Sequence, residues 1–135
     1  MDSLRRANRA YYDAFESRNF DDLSSVWEHS DRVLCTHPGW PTLYGWGNVA
    51  GAFFALFTND EQVQFVLTNE HCEVEGNVGW VSVEENILGT QGGAMVSALN
   101  VFVRAASSAP WMLVCHQGSL VSPPTEESEP SGPDS

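Results

Sequence analysis

The chain has 135 residues, of which 42% are hydrophobic and 11% aromatic, and it carries a formal net charge of −12. This length and apolar content are those of a single domain with one core. Because the charge is strongly negative and the longest apolar run, residues 49–57, is shorter than the roughly 20 residues that cross a bilayer, neither nucleic acid nor a membrane is an expected partner.

Apolar residues at helical spacing predict three helices in the first half of the chain. The first spans residues 4–15 and ends at 18–19, the second starts at residue 20, and the third follows residues 45–47 and ends near residue 58. Their buried faces are predicted to be Leu4, Asn8, Tyr11, Tyr12 and Phe15, then Leu23, Val26 and Trp27, and then Val49, Ala52, Phe53, Leu56 and Phe57.

A period of two replaces the helical spacing in the second half of the chain. It predicts strands over residues 62–74, 78–88, 94–104 and 111–120, in addition to a short earlier strand over residues 33–36. Short turns join the four later strands, which are therefore expected to form antiparallel hairpins. Helices segregated from a mainly antiparallel sheet define an α+β domain.

The chain ends in a segment of different composition. Residues 122–135 consist largely of Pro, Ser and Glu, which cannot offset the entropy of ordering, so we predict a disordered acidic tail after a domain formed by residues 1–121. Three widely spaced cysteines, Cys35, Cys72 and Cys115, lie in strand-like sequence and are interpreted as buried, reduced thiols. No secretory segment follows Met1, and a cytoplasmic protein is expected.

Four stretches in this order resemble the SnoaL-like group of the nuclear transport factor 2-like superfamily, which also contains ketosteroid isomerase relatives. They are Ala7-Asn8 with Tyr11-Tyr12-Asp13-Ala14-Phe15, Cys35-Thr36-His37-Pro38-Gly39-Trp40, Val83-Glu84-Glu85-Asn86-Ile87, and Asn100-Val101-Phe102 with Trp111-Met112-Leu113-Val114-Cys115-His116.

The resemblance covers roughly residues 4–121 and implies a cone-shaped α+β roll. Three N-terminal helices would pack in a curved, mixed, mainly antiparallel sheet around a conical cavity, and the outer sheet face would form a homodimer. The isomerase relatives use an aspartate base, whereas the predicted cavity strands of this chain contain no aspartate, which argues against the isomerase reaction itself.

Strand parity then predicts which side chains enter the cavity. In the last strand we assign Met112, Val114, His116 and Gly118 to the interior, because the family commonly places polar pocket groups at this parity, and Trp111 and Leu113 to the outer face. The same alternation places Ala98, Asn100 and Phe102 inside, with Leu99, Val101 and Val103 outside. For residues 78–88 the inward set is Val81, Val83, Glu85 and Ile87.

His116 and Glu85 are the predicted catalytic pair. A histidine titrates near neutral pH, and a carboxyl group among apolar residues is costly to ionise, so together they are candidates for moving a proton. Two alternatives stay open: Glu85 as a hydrated residue at the cavity mouth, and His116 as a structural histidine bonded to Asn100. His37 either orders its own loop or contacts a ligand at the entrance together with Trp40.

No cofactor and no metal are expected. The chain lacks a dinucleotide fingerprint, a phosphate-binding glycine loop and a nucleophile elbow, and its four histidines show no metal-ligand spacing. Only His37, Glu85 and His116 were a conceivable metal set.

The sequence therefore predicts a domain that binds a small, mostly apolar molecule. Acid/base chemistry without a cofactor, such as isomerisation, dehydration or cyclisation, is the favoured function, and a non-catalytic dimeric binding or assembly module is the alternative. About half of the aromatic residues named here are expected to reach the lumen. The predicted ligand-binding residues are Tyr12, Phe15, Trp27, His37, Trp40, Trp46, Phe53, Asn100, Phe102 and Met112.

Overall fold

The computed structural model describes residues 1–59, 62–89 and 92–121, so the predicted tail lies outside the described residues. All three predicted helices and all five predicted strands are present, and one strand of two residues, β2, was not predicted. The elements are α1 (Asp2–Ser17), α2 (Phe20–Val26), β1 (Leu34–Thr36), β2 (Leu43–Tyr44), α3 (Trp46–Phe57), β3 (Val63–Glu75), β4 (Val78–Gly89), β5 (Gly92–Val103) and β6 (Met112–Leu120).

The six strands form one mixed sheet in the order β2-β1-β6-β5-β4-β3. Every neighbouring pair is antiparallel except β1 with β6, which is parallel because α3 and the long hairpins separate the two strands in sequence. Helix α1 packs across β3 and β4, and α3 contacts β1 and β2. In the described part of the chain, no helix has the length and apolar composition needed to span a membrane.

Capping interactions fix the turn between α1 and α2. Arg18 ends α1 in a left-handed conformation with φ 54°, and its backbone N–H donates to the carbonyl of Phe15. The side chain of Asn19 then caps α2 by accepting the N–H of Asp22 at 3.0 Å. This turn brings Leu23 and Trp27 onto the same core as α1.

Alternation correctly predicts the buried faces of β4 and β5. Val81, Val83 and Glu85 are buried, as are Ala98, Asn100 and Phe102 on the neighbouring strand. The register explains the match, because the two strands pair without interruption along their whole length.

A β-bulge makes the parity prediction wrong at the start of β6. Phe102 pairs with Leu113 but Val101 pairs with Cys115, so β6 carries one extra residue at this point. Leu113 is therefore fully buried, whereas Met112, which was predicted to enter the cavity, lines a surface groove with Glu28 and Arg32. His116 and Gly118 lie beyond the bulge and point inward.

Trp111 is also buried, contrary to the prediction that it faces outward. Its side chain is 7% exposed, its indole N–H donates to the hydroxyl of Ser3 at 3.1 Å, and the guanidinium of Arg104 lies 4.2 Å from the ring centroid. A Cβ at Gly79 would lie only 3.0 Å from Leu4 and 3.3 Å from this indole, so glycine permits the close approach of α1 and the indole to β4.

Candidate functional site

Four polar side chains meet at the centre of the concave sheet face. Tyr12 comes from α1, Glu85 from β4, Asn100 from β5 and His116 from β6, and each is at most 3% exposed. Asn100 and His116 are direct partners in the register of β5 and β6, which places their side chains side by side. Buried polar groups are costly unless they bond to one another, and these four do so.

Two hydrogen bonds of this cluster are short. The Tyr12 hydroxyl donates to Glu85 Oε2 at 2.5 Å and accepts from Asn100 Nδ2 at 3.1 Å. The Nδ1 atom of His116 lies 2.6 Å from Asn100 Oδ1, and since an amide oxygen only accepts, Nδ1 carries the hydrogen. In the neutral ring Nε2 then carries an unprotonated lone pair, and this nitrogen lies 4.0 Å from Glu85 Oε2.

Burial shifts the pKa values of Glu85 and His116 in opposite directions. It raises the pKa of Glu85 to about 7, against a smaller lowering by the hydrogen bond from Tyr12. Burial, aided by the neighbouring His37, lowers the pKa of His116 to about 3. At neutral pH the cluster therefore holds a neutral imidazole beside a carboxyl group that readily gains or loses a proton, which is an arrangement suited to acid/base chemistry.

Aromatic rings surround the cluster on the helical side. Tyr11 lies 5.2 Å from the His116 ring, and Phe65 lies 5.2 Å from Tyr12. Phe53 is fully buried and makes contact with the rings of Tyr11 and His37. The Tyr11 hydroxyl is buried without a hydrogen-bond partner among the described residues, so a polar group is available within this apolar wall.

The loop after β1 covers the remaining side of the cluster. His37 is buried, lies 6.3 Å from the His116 ring and 4.9 Å from Trp40, and its Nε2 is 3.7 Å from the Cys35 thiol. Burial lowers the pKa of His37 to about 4 and raises that of Cys35, so both are neutral. Trp40 is 42% exposed, so the loop reaches the protein surface at this residue.

The cluster itself is closed to solvent in this structure. An apolar cavity of about 80 Å³ lies near the C-terminal ends of α1 and α3. It is lined by Phe15, Arg18, Leu56, Phe57, Asn59 and Val63. Phe15 packs against Phe65, which packs against Tyr12, so three aromatic rings in contact lead from the wall of this cavity to Glu85.

The structure brings only part of the predicted ligand-binding set to the cluster. Tyr12 and Asn100 belong to it and His37 lies beside His116, whereas Phe53 and Phe15 are each one ring removed. Trp27 and Phe102 are fully buried core residues, and Trp46 stacks on His29 at 4.4 Å.

Sequence reasoning did not select three residues of the surrounding shell. Asn8 accepts from Asn100 at 2.9 Å, Glu70 accepts from Asn8 at 3.1 Å, and Tyr11 packs on the ring of His116. Asn8 had a usable signal, since it is a polar residue on the otherwise apolar stripe of α1. Glu70 had none, because its position depends on a bulge in β3. Among the described residues, no group of three His, Cys, Asp or Glu side chains could hold a metal ion, and the conceivable set of His37, Glu85 and His116 does not form one.

Comparison with protein families assigns the chain to a known group. The model of the SnoaL-like domain matches residues 4–123. The chain belongs to this family. A crystal structure of a candidate dehydratase of the NTF2-like family from Streptomyces avermitilis is 37% identical, with a TM-score of 0.81 over 90% of this chain and 96% of the other. The cone-shaped α+β roll expected from the sequence is thereby confirmed.

Two further solved structures share this fold. A candidate calcium/calmodulin-dependent protein kinase type II association domain from Thiobacillus denitrificans is 29% identical, with a TM-score of 0.70 over 86% of this chain and 93% of the other. A candidate ketosteroid isomerase from Shewanella frigidimarina shares the fold at 10% identity, with a TM-score of 0.74 over 87% of this chain and 94% of the other. Comparison with curated proteins gave no match.

Proposed function

We propose that this SnoaL-like protein binds a small, mostly apolar carbonyl compound beside His116 and Glu85 and dehydrates it without a cofactor. The observation that carries the proposal is the pairing of a neutral imidazole with a carboxyl group of raised pKa, 4.0 Å apart, inside an apolar wall. Similarity to the candidate dehydratase of Streptomyces avermitilis favours dehydration among the acid/base reactions.

The proposed reaction is a β-elimination in which each residue has one task. Nε2 of His116 takes the proton from the carbon next to the carbonyl, and the released electron pair forms the carbon–carbon double bond. The β-hydroxyl group leaves with the proton of neutral Glu85 as water. The proton on His116 then passes to the Glu85 carboxylate, which restores both groups for the next turnover.

Tyr12 and Asn100 support this pair. The hydroxyl of Tyr12 holds one Glu85 oxygen at 2.5 Å, and the amide of Asn100 holds His116 at 2.6 Å, so both groups are oriented before a ligand arrives. Because the cluster is closed, a ligand enters by displacement of the loop that carries His37 and Trp40. His37 and Trp40 would then border the entrance and contact the ligand as it passes.

Binding is tested by a thermal-shift panel of β-hydroxy ketones, steroids and aromatic polyketide-like compounds. A ligand at 100 times its Kd stabilises by about 2.7 kcal/mol, which raises the melting temperature by several degrees. His116→Gln should lose this shift, whereas His71→Gln, at an exposed histidine of β3, should keep it. Dehydration of a β-hydroxy ketone, followed by the absorbance of the enone, should fall at least about 100-fold in His116→Gln. The proposal fails if no compound stabilises the protein, or if His116→Gln responds like His71→Gln.

A second candidate function is a dimeric binding or assembly module. The outer sheet face exposes Trp80, Met95 and Leu99, and a relative at 29% identity is a candidate association domain. If this face forms the dimer, sedimentation velocity should give a dimer for the wild-type protein and a monomer for Leu99→Glu. A wild-type monomer at high concentration would contradict this candidate.

A further inference from the structure

A chain of hydrogen bonds connects the buried cluster with a carboxylate at the protein surface. Glu70 Oε2 accepts from Asn8 Nδ2 at 3.1 Å, and Asn8 Oδ1 accepts from Asn100 Nδ2 at 2.9 Å. Asn100 Oδ1 in turn accepts from His116 Nδ1 at 2.6 Å. Asn8 and Asn100 are fully buried, so they have no access to bulk water as an alternative partner.

Two features of the fold place Glu70 at the outer end of this chain. The register of β3 shifts between Thr68 and His71, where Asn69 adopts a positive φ of 57°, and the irregularity turns the Glu70 side chain toward α1. Arg5, one turn before Asn8, forms an ion pair with the other oxygen of Glu70 at 3.2 Å. This pair places a guanidinium beside the carboxylate, and both side chains are partly exposed to water.

The direction of every hydrogen bond in this chain follows from the carboxylate. An ionised carboxylate only accepts, so Asn8 must present its amide NH₂ to Glu70 and its carbonyl oxygen to Asn100. Asn100 must then present its NH₂ to Asn8 and its oxygen to His116. Since that oxygen only accepts, the hydrogen of the neutral imidazole sits on Nδ1 and the lone pair on Nε2.

We propose that Glu70 is a positioning residue that sets the tautomer of His116 through Asn8 and Asn100. It never touches the imidazole, yet it determines that the nitrogen facing Glu85 is a proton acceptor. The catalytic meaning of this tautomer rests on the proposed dehydration, in which Nε2 takes the substrate proton, whereas the tautomer itself does not depend on any ligand.

Tyr12 forms a second set of hydrogen bonds that favours the same tautomer, so it has to be removed for the test. Tyr12 donates to Glu85 and accepts from Asn100 Nδ2, so it also favours the observed orientation of the Asn100 amide. In Tyr12→Phe this second set is lost, and among the described residues Glu70 is the one remaining group that fixes the direction of the hydrogen bonds in the chain. Adding Glu70→Gln supplies an amide that either accepts from Asn8 or donates to it, so both directions of the chain become satisfied and both tautomers become accessible.

The experiment is a long-range ¹H–¹⁵N correlation spectrum of the imidazole nitrogens. The chain has only four histidines, so His116 is assigned by comparison with His116→Gln. Wild-type protein and Tyr12→Phe should show the hydrogen on Nδ1 alone. Tyr12→Phe/Glu70→Gln should show a second population with the hydrogen on Nε2, which corresponds to a change of about tenfold or more in the tautomer ratio, the value of one hydrogen bond to a charged group.

Matched controls test whether the tautomer changes because the hydrogen bonds can reverse direction or because a charge has been removed. In the Tyr12→Phe background, Arg5→Gln removes the ion pair but keeps the Glu70 acceptor, and Glu84→Gln changes a carboxylate that accepts from Thr68 and Asn69 instead. Both should retain Nδ1–H. Dispersed amide spectra show that each variant is folded.

The proposal is overturned if Tyr12→Phe/Glu70→Gln keeps the hydrogen on Nδ1 alone, if Arg5→Gln changes the ratio as much as Glu70→Gln does, or if the wild-type imidazole carries it on Nε2. These spectra require no ligand. A failed search for a substrate would therefore count against the dehydration and leave the tautomer result intact.

Discussion

Glu85→Gln should make the protein more stable above pH 7 by about 3 kcal/mol and should change little below pH 4.5, since the pKa of this carboxyl rises from 4.5 to about 7 on folding. Glutamine has the shape of the neutral acid, and its side-chain oxygen accepts the Tyr12 hydrogen in the same way. The variant therefore removes the cost of a buried negative charge without opening a cavity.

The sign follows from where the proton is held. In the folded protein Glu85 keeps its proton up to about pH 7, whereas in the unfolded chain it ionises near pH 4.5. The contribution of neutral Glu85 to the free energy of unfolding is therefore fully present below pH 4.5 and is lost as the pH rises to 7. His116 and His37 have lowered pKa values and act in the other direction as pH falls below 6.5, but both residues are present in each protein and cancel in the difference.

Urea unfolding of wild-type protein and Glu85→Gln at a series of pH values measures this difference directly. Glu84→Gln is the matched control, because Glu84 is the neighbouring residue on the opposite face of β4 and bonds to Thr68 and Asn69 at the surface. Its effect should be small and without the same dependence on pH. A Glu85→Gln difference that stays constant from pH 4.5 to 8 would show that Glu85 is already ionised in the folded protein.

Phe53→Ala should destabilise the protein by about 3–5 kcal/mol, the usual cost of removing a buried phenylalanine ring. The ring is fully buried in α3 and is in contact with five other rings. They are Tyr11, Phe15, Trp27, His37 and Phe57. The resulting space is apolar on most sides and lies next to His37, so it should remain dry and bind benzene, which would recover part of the stability.

Thermal unfolding with and without benzene measures both effects. Phe54→Ala is the control, because Phe54 follows Phe53 on α3 but is largely exposed, and its replacement should cost less than about 1 kcal/mol. If Phe53→Ala is destabilised yet gains nothing from benzene, the space has collapsed or filled with water. That result would weaken the case for an apolar ligand beside the cluster.

Sequence periodicity was a sound guide wherever two strands pair without interruption. The apolar face of β4 placed Glu85 inside, the family resemblance together with alternation placed Asn100 inside, and the register of β4 and β5 keeps the two residues on one face. Alternation failed at the start of β6, where the bulge shifts the pairing by one residue and buries Leu113 while Met112 moves to a surface groove. A single inserted residue reverses parity, and the local pattern contains no signal for it.

The amino-acid sequence by itself determined the helices and long strands, the α+β class and which residues share a face of each uninterrupted strand. These properties depend on side-chain periodicity along one segment at a time. The expectation that His116 enters a cavity on the concave face came from the resemblance to the SnoaL-like family. Only the tertiary structure decided that Trp111 is buried, that the cluster is closed, and that Asn8 and Glu70 are bonded to it. Those outcomes depend on the bulges in β3 and β6 and on how α1 lies across the sheet, and such contacts join residues far apart in the chain whose pairing no local pattern specifies.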